Sequence, residues 1–250
     1  MIEAKAHNIR ANIWSNRGDK NRAISDYSEA IRLDPKFTDA YYNRGNVWRN
    51  KGDYQRAITD YSEVIRLNPA DAEAYGNRGI SLKNIGDYDS AIADYNEAIR
   101  LNPQANHFSN RGLAWRFKRD LDRAMADYNE AIRLDPNLAN AYFNRGSVWQ
   151  AKGDLDRAIA DYREAIRLDP MNAGNFNNRG VAWLAKRDLD QAMADLNEAI
   201  RLDPKFSDAY YNRGNVWRTK GDRARAIQDF TEAARLGNAE AVARLRELGR

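Results

Sequence analysis

Apolar and polar positions along this chain follow two nested periods. Tyr41, Gly45 and Trp48, and then Ala57, Ile58, Tyr61, Val64 and Ile65, recur every three to four residues, the spacing of one helical face in each of two separate stretches. Lys51-Gly52-Asp53 lies between them. A glycine just past a helix end relieves the left-handed C-terminal turn, and Asp53 offers a carboxylate to the backbone N–H groups that open the next helix. The pattern predicts two amphipathic helices joined by a tight turn.

The pair repeats. The six prolines, Pro35, Pro69, Pro103, Pro136, Pro170 and Pro204, are spaced by 34, 34, 33, 34 and 34 residues. Each lacks the N–H that a helix interior needs and disfavours helical geometry just before it, so it closes a second helix. The triplet Asn-Arg-Gly begins in step at Asn43, Asn77, Asn110, Asn144, Asn178 and Asn212. The frame gives seven units, 1–34, 35–68, 69–102, 103–135, 136–169, 170–203 and 204–237, with 238–250 left over. Asn238 can cap a last helix, Ala239 to Leu248, whose Val242 and Leu245 are expected to cover the final apolar face while Glu240, Arg244 and Arg246 meet water. Unit one carries His7, Ile9 and Ala11 where the others have an aromatic, Asn and Gly, so it reads as a capping repeat or the edge of a longer array.

Most residues in the frame have a structural reading. The tryptophans Trp14, Trp48, Trp115, Trp149, Trp183 and Trp217 share one slot and are expected in the core between helices. Gly45 and its equivalents imply close helix contact, with Ala57 and its equivalents as the expected neighbours. Arg119 and Arg187 replace the turn glycine, at a cost of about 1 kcal/mol each if the left-handed conformation is kept. An Arg precedes each first-helix Gly (in unit one, its counterpart Ala11) and an Asp precedes each second-helix aromatic or its counterpart Leu196, which suggests Arg–Asp pairs tying the two helices together. Glu29 and Arg32, and their equivalents, suit an intrahelical ion pair.

Composition narrows the function. The absence of cysteine excludes disulfides, thiolate nucleophiles and Cys-based metal sites, and the two histidines, His7 and His107, lie a hundred residues apart. No phosphate loop or nucleophile elbow interrupts the repeats, so no catalytic residue, metal ligand or cofactor is assigned, and the chain reads as a non-enzyme. Net charge is +4, but fourteen of the thirty arginines are fixed by the frame, which argues against nucleic acid as the partner. A mean hydropathy of -0.82 leaves no apolar run able to cross a bilayer. The first twenty residues contain no secretory apolar stretch, and a cytoplasmic location is the expectation.

Tyr142, Gly146, Trp149, Gly153, Ala158, Tyr162, Ala165 and Pro170 match, unit by unit, the pattern of the tetratricopeptide repeat (TPR), which this chain resembles over nearly its whole length. The resemblance implies an all-α, right-handed superhelical solenoid of stacked helix-turn-helix repeats with a C-terminal capping helix. First helices would line a concave groove that binds an extended peptide of a partner protein. Arg10, Arg44, Arg78, Arg111, Arg145, Arg179 and Arg213 depart from the family, which usually has Leu there.

In that groove the triplet amides, Asn43, Asn77, Asn110, Asn144, Asn178 and Asn212, resemble the asparagine ladder of the repeat region of O-linked N-acetylglucosamine transferase. A carboxamide can bond both a peptide N–H and a C=O without reading the side chain. The alternative is that these amides bond neighbouring helices. Beside them Asn46, Arg49, Lys83, Arg116, Phe143, Asn215 and Arg218 vary between units and would set specificity. The groove passes from basic and polar to more apolar, and a segment with acidic residues followed by hydrophobic ones would fit it. The slot of the first clamp Lys in carboxylate-binding co-chaperone repeats holds Asn8, Tyr42, Gly76, Ser109, Phe143, Asn177 and Tyr211, so that mode is not expected. The alternatives to peptide binding are single-stranded RNA on the same face and self-association through the array ends.

Overall fold

The computed structural model describes residues 2–248, and every regular element among them is a helix. The chain forms two compact units, Met1–Leu134 and Asp135–Arg250. The first contains α1 (Ile2–Asn16), α2 (Lys20–Leu33), α3 (Thr38–Asn50), α4 (Tyr54–Leu67), α5 (Ala72–Asn84), α6 (Tyr88–Leu101), α7 (Ala105–Phe117) and α8 (Leu121–Leu134). The second contains α9 (Ala139–Ala151), α10 (Leu155–Leu168), α11 (Ala173–Ala185), α12 (Leu189–Leu202), α13 (Ser207–Thr219), α14 (Arg223–Arg235) and α15 (Ala239–Glu247).

The turn chemistry is that expected from the sequence. Gly52 has φ +80°, Asp53 N–H donates to the Trp48 carbonyl at 3.0 Å, and the Asp53 side chain accepts from Arg56 N–H at 3.2 Å. Arg119 and Arg187 take the same left-handed conformation, each at φ +64°. A side chain there costs strain that glycine avoids.

Every pair after the first, which has Ala11 in that slot, is closed by an aromatic ring or Leu lying on a glycine. A Cβ added to Gly45 would come 2.9 Å from Tyr61 Cε1, and one on Gly214 would come 2.7 Å from Phe230 Cε1. The nearest partner of the glycine is therefore the second-helix ring or Leu, with the expected alanine next to it: a Cβ on Gly146 would also come 3.2 Å from the Ala158 carbonyl oxygen, and one on Gly180 3.4 Å from that of Ala192. The ring needs the whole width of the missing side chain, and the alanine sits fully buried beside it. The tryptophans are half-buried, and five of them lie under a guanidinium: Arg22, Arg56, Arg123, Arg157 and Arg225 stand 4.0 to 4.7 Å from the ring centroids. For Trp183 the corresponding place in the frame holds Gln191, and Lys186 Nζ stands 5.8 Å from its ring centroid.

The Arg–Asp pairs form in all seven helix pairs. Arg44 Nε and Nη2 donate to Asp60 Oδ2 and Oδ1 at 2.9 and 2.7 Å, and the same fork recurs from Arg10–Asp26 to Arg213–Asp229. In Arg44, Arg78, Arg111 and Arg213 the third nitrogen reaches back to the preceding pair: Arg44 Nη1 donates to Ser28 Oγ at 2.9 Å, and Arg111 Nη1 to Asn96 Oδ1 at 2.7 Å. One side chain thus joins three helices. The Glu29–Arg32 type of intrahelical pair also forms, at 2.6 Å.

Within the first unit, α1, α3, α5 and α7 touch in sequence, as do α9, α11 and α13 in the second. No packing of that extent joins the second helices to one another among the described residues. Each unit therefore presents a face of adjoining first helices. At the C-terminal end α15 lays Ala241, Leu245 and Leu248 on Ala226, Phe230 and Ala233. Val242, expected in that contact, is instead 37% exposed, because helix phase hands the inward position to Ala241. Arg244, expected in water, is only partly exposed and pairs with Glu247 at 2.7 Å, while Glu240 and Arg246 are exposed.

Candidate peptide-binding face

The triplet Asn precedes, by one residue, the arginine that holds each pair together and, by two, the glycine that seats the ring. Those neighbours fix the phase of the helix, so the Asn is carried to the first-helix face. All six amides are partly exposed.

In the first unit, Asn43 Nδ2 donates to Asn12 Oδ1 at 3.4 Å, and that oxygen also takes the Tyr27 hydroxyl at 2.6 Å. Asn77 is held twice: its Nδ2 donates to the Tyr42 hydroxyl at 2.7 Å, and its Oδ1 accepts from Arg49 Nη1 at 2.5 Å. In the second unit, Asn177 serves two neighbours, donating to Asn178 Oδ1 at 3.1 Å and accepting from Asn212 Nδ2 at 2.9 Å. The side chains of Asn110 and Asn144 have no hydrogen-bond partner among the described residues. Four of the six amides are thus already engaged by their own scaffold and two are not.

The specificity candidates also divide. Asn46 Oδ1 accepts the Tyr61 hydroxyl at 2.8 Å, and Phe143 tilts against Tyr162 with centroids 5.9 Å apart, so both serve their own helix pair. Arg49 reaches the amide row. Lys83 is half-buried, and burial holds its pKa below the usual lysine value. Arg116 lies 6.0 Å from the centroid of the exposed Phe117 ring. The Asn215 side chain is partly exposed and the Arg218 side chain exposed.

Sequence reasoning placed Tyr42 and Asn177 in the clamp slot but missed that they bond the amide row. Both stand 35 residues before the amide they meet, Asn77 and Asn212, so a period of 34 plus one is the signal that finds them. Around Tyr42 a cavity of about 310 Å³ is lined by Thr38, Asp39, Val64, Asp71 and Glu73. In the second unit a groove of about 540 Å³ includes Asn177, Asn178, Val181, Tyr211, Asn212 and Asn238 in its lining. His107 is buried over Gly76, where a Cβ would meet its Nε2 at 2.9 Å, and its Nδ1 lies 3.1 Å from the Asn102 carbonyl. It is a packing residue.

A family profile described as tetratricopeptide repeat matches residues 38–71, 72–104 and 139–172, and one described as TPR repeat matches 11–49, 118–153 and 184–221. A further tetratricopeptide-repeat profile matches 207–236. The chain belongs to the tetratricopeptide-repeat family. Among solved structures, a tetratricopeptide repeat protein from Parabacteroides merdae is 20% identical, with a TM-score of 0.79 over 99% of each chain. This TPR chain is also similar to one from the APC/C hetero-tetramer Cut9–Hcn1, at 19% identity and a TM-score of 0.81 over 96% of this chain and 48% of that one. YrrB, described as a TPR protein with an unusual peptide-binding site, is 24% identical, with a TM-score of 0.56 over 73% of this chain and 95% of its own. These likenesses show the TPR fold. Curated proteins give no match. No described helix is long and apolar enough to cross a membrane.

Proposed function

We propose that this TPR protein is a non-catalytic interaction scaffold whose first-helix faces hold an extended segment of a partner protein by its main chain. The observation that carries the reading is the contrast within the amide rows. Asn110 in the first unit and Asn144 in the second offer unbonded, partly exposed carboxamides, while Asn43, Asn77, Asn178 and Asn212 are braced by neighbours. A braced amide keeps spare capacity, since a carboxamide has two donors and two acceptor lone pairs. First helices packed about 10 Å apart against a peptide rise of about 3.3 Å per residue place one amide near every third residue. YrrB's description as peptide-binding supports the same class of partner.

The test is selection of ligands from a displayed library of unstructured peptides, followed by calorimetry. Asn110→Ala and Asn144→Ala are each expected to weaken binding by roughly fivefold, the loss of one hydrogen bond of about 1 kcal/mol, with the melting temperature unchanged. Equal affinity in wild type and the double variant would remove the amides from the site. A steep fall of affinity for oligonucleotides between low and moderate salt, with no peptide selected, would assign the face to RNA instead.

A further inference from the structure

The basic residues of the first unit are not spread evenly. Arg49, Lys83 and Arg116 each stand four residues after the seating glycine, on α3, α5 and α7, so they occupy one register position on three adjoining helices. All three are half-buried, and among the described residues none has a carboxylate partner. That sets them apart from the other arginines of the frame, which are locked to Asp or Glu. Arg49 bonds a neutral amide oxygen, Arg116 sits by Phe117, and Lys83 loses charge stability to burial with nothing opposite to restore it. A partly desolvated cation without a counter-ion costs free energy that an incoming anion recovers.

A second observation lies in the same strip. The hydroxyls of Tyr95 and Tyr128 are buried and unbonded, because Ile80 and Leu113 occupy the slot from which Asn12 and Asn46 receive the Tyr27 and Tyr61 hydroxyls. The polar partner is missing in the helix pairs of Lys83 and Arg116 and present in that of Arg49. At the same register position the second unit has Gln150, already bonded to the Tyr162 hydroxyl at 2.8 Å, then Leu184 and Arg218. Asp39, Asp71 and Glu73 gather around Tyr42, seven residues before Arg49 on α3, and disfavour an anion there.

Resting on the peptide reading above, we propose that the first unit selects an acidic extended segment whose carboxylates, about three residues apart, dock successively on Arg49, Lys83 and Arg116. The spacing follows from the same ratio of helix separation to strand rise.

The experiment is fluorescence anisotropy of labelled, unstructured twelve-residue peptides with Glu at every third position, against the same peptides with Gln, using the full chain. The Glu peptides are expected to bind at least tenfold more tightly. Arg49→Gln, Lys83→Met and Arg116→Gln are each expected to lower that affinity three- to tenfold, and Arg163→Gln, at an exposed position on the second helix α10, to leave it unchanged, with helicity and melting temperature checked for every variant. Glu and Gln peptides that bind equally, both weakened by Asn110→Ala, would overturn the acidic preference and leave the peptide face standing. Loss on Arg49→Gln with no effect of Asn110→Ala would keep the charge strip and overturn the amide contact. Tighter binding of a twelve-nucleotide oligouridine than of the Glu peptide, sensitive to the same three positions, would overturn the peptide assignment altogether.

Discussion

At the scale of single residues, the arginine forks are the interactions most exposed to test. Asp60 is nearly inaccessible, and Arg44 donates to it twice while also holding Ser28. Removing one partner leaves a buried charge unpaired, so Asp60→Ala is expected to cost about 3 kcal/mol in urea unfolding, and adding Arg44→Leu should recover a large part of it. These pairs were legible in the sequence because both partners recur in the frame sixteen residues apart. The occupation of the amide row was not, because Tyr42 and Asn177 stand at a position that changes from unit to unit, and only the fold brings them to Asn77 and Asn212. Ile80→Asn is expected to give the Tyr95 hydroxyl the acceptor it lacks and raise stability by about 1 kcal/mol, measured by the same unfolding titration.

At the scale of elements, two kinds of glycine separate. The turn glycines are conformational: a Cβ on Gly52 meets nothing, but φ is +80°. Arg119→Gly is therefore expected to stabilise the chain by about 1 kcal/mol in thermal melts. The helix glycines are steric. Gly79→Ala would put a Cβ 2.8 Å from the Tyr95 ring, which must shift, and a cost of about 2 kcal/mol or more is expected. The identity of that ring partner was beyond periodicity, which places residues on a face without saying which meets which across the interface. Likewise the sequence places an apolar stripe on α15, but which of Ala241 and Val242 turns inward depends on the angle at which the helix docks. Among the described residues Trp183 is the one tryptophan without an arginine on its ring, and Gln191→Arg should add about 0.5 kcal/mol.

At the scale of the whole molecule, titration sets the window of stability. Hydrogen bonds from Arg10, Arg32, Arg100 and Arg201 hold the carboxyls of Asp26, Glu29, Glu97 and Glu198 below their ordinary values. Groups with a lowered folded pKa contribute fully above the unfolded value, about 4, and lose that contribution as pH falls through the folded one. Burial pushes Tyr27 up to about 12 and Tyr61, Tyr95 and Tyr128 higher still. Their contribution is full below about 10 and is lost as pH rises beyond it. Denaturant midpoints are thus expected to be flat between about pH 5 and 9 and to fall on both sides. Helix pairs that contact mainly their neighbours also fray from an end. α1, with Ile2, Ile9 and Ile13 outward, should exchange its amide hydrogens before α3 to α6 do.

The bracing of Asn77 between Tyr42 and Arg49, and of Asn212 by Asn177, means that these rotamers are settled before any guest arrives. A guest would then have little side-chain freedom to freeze on the host, and the entropy it gives up would be almost entirely its own. Calorimetry on a cyclised guest should register that difference as a large gain in affinity with little change in heat.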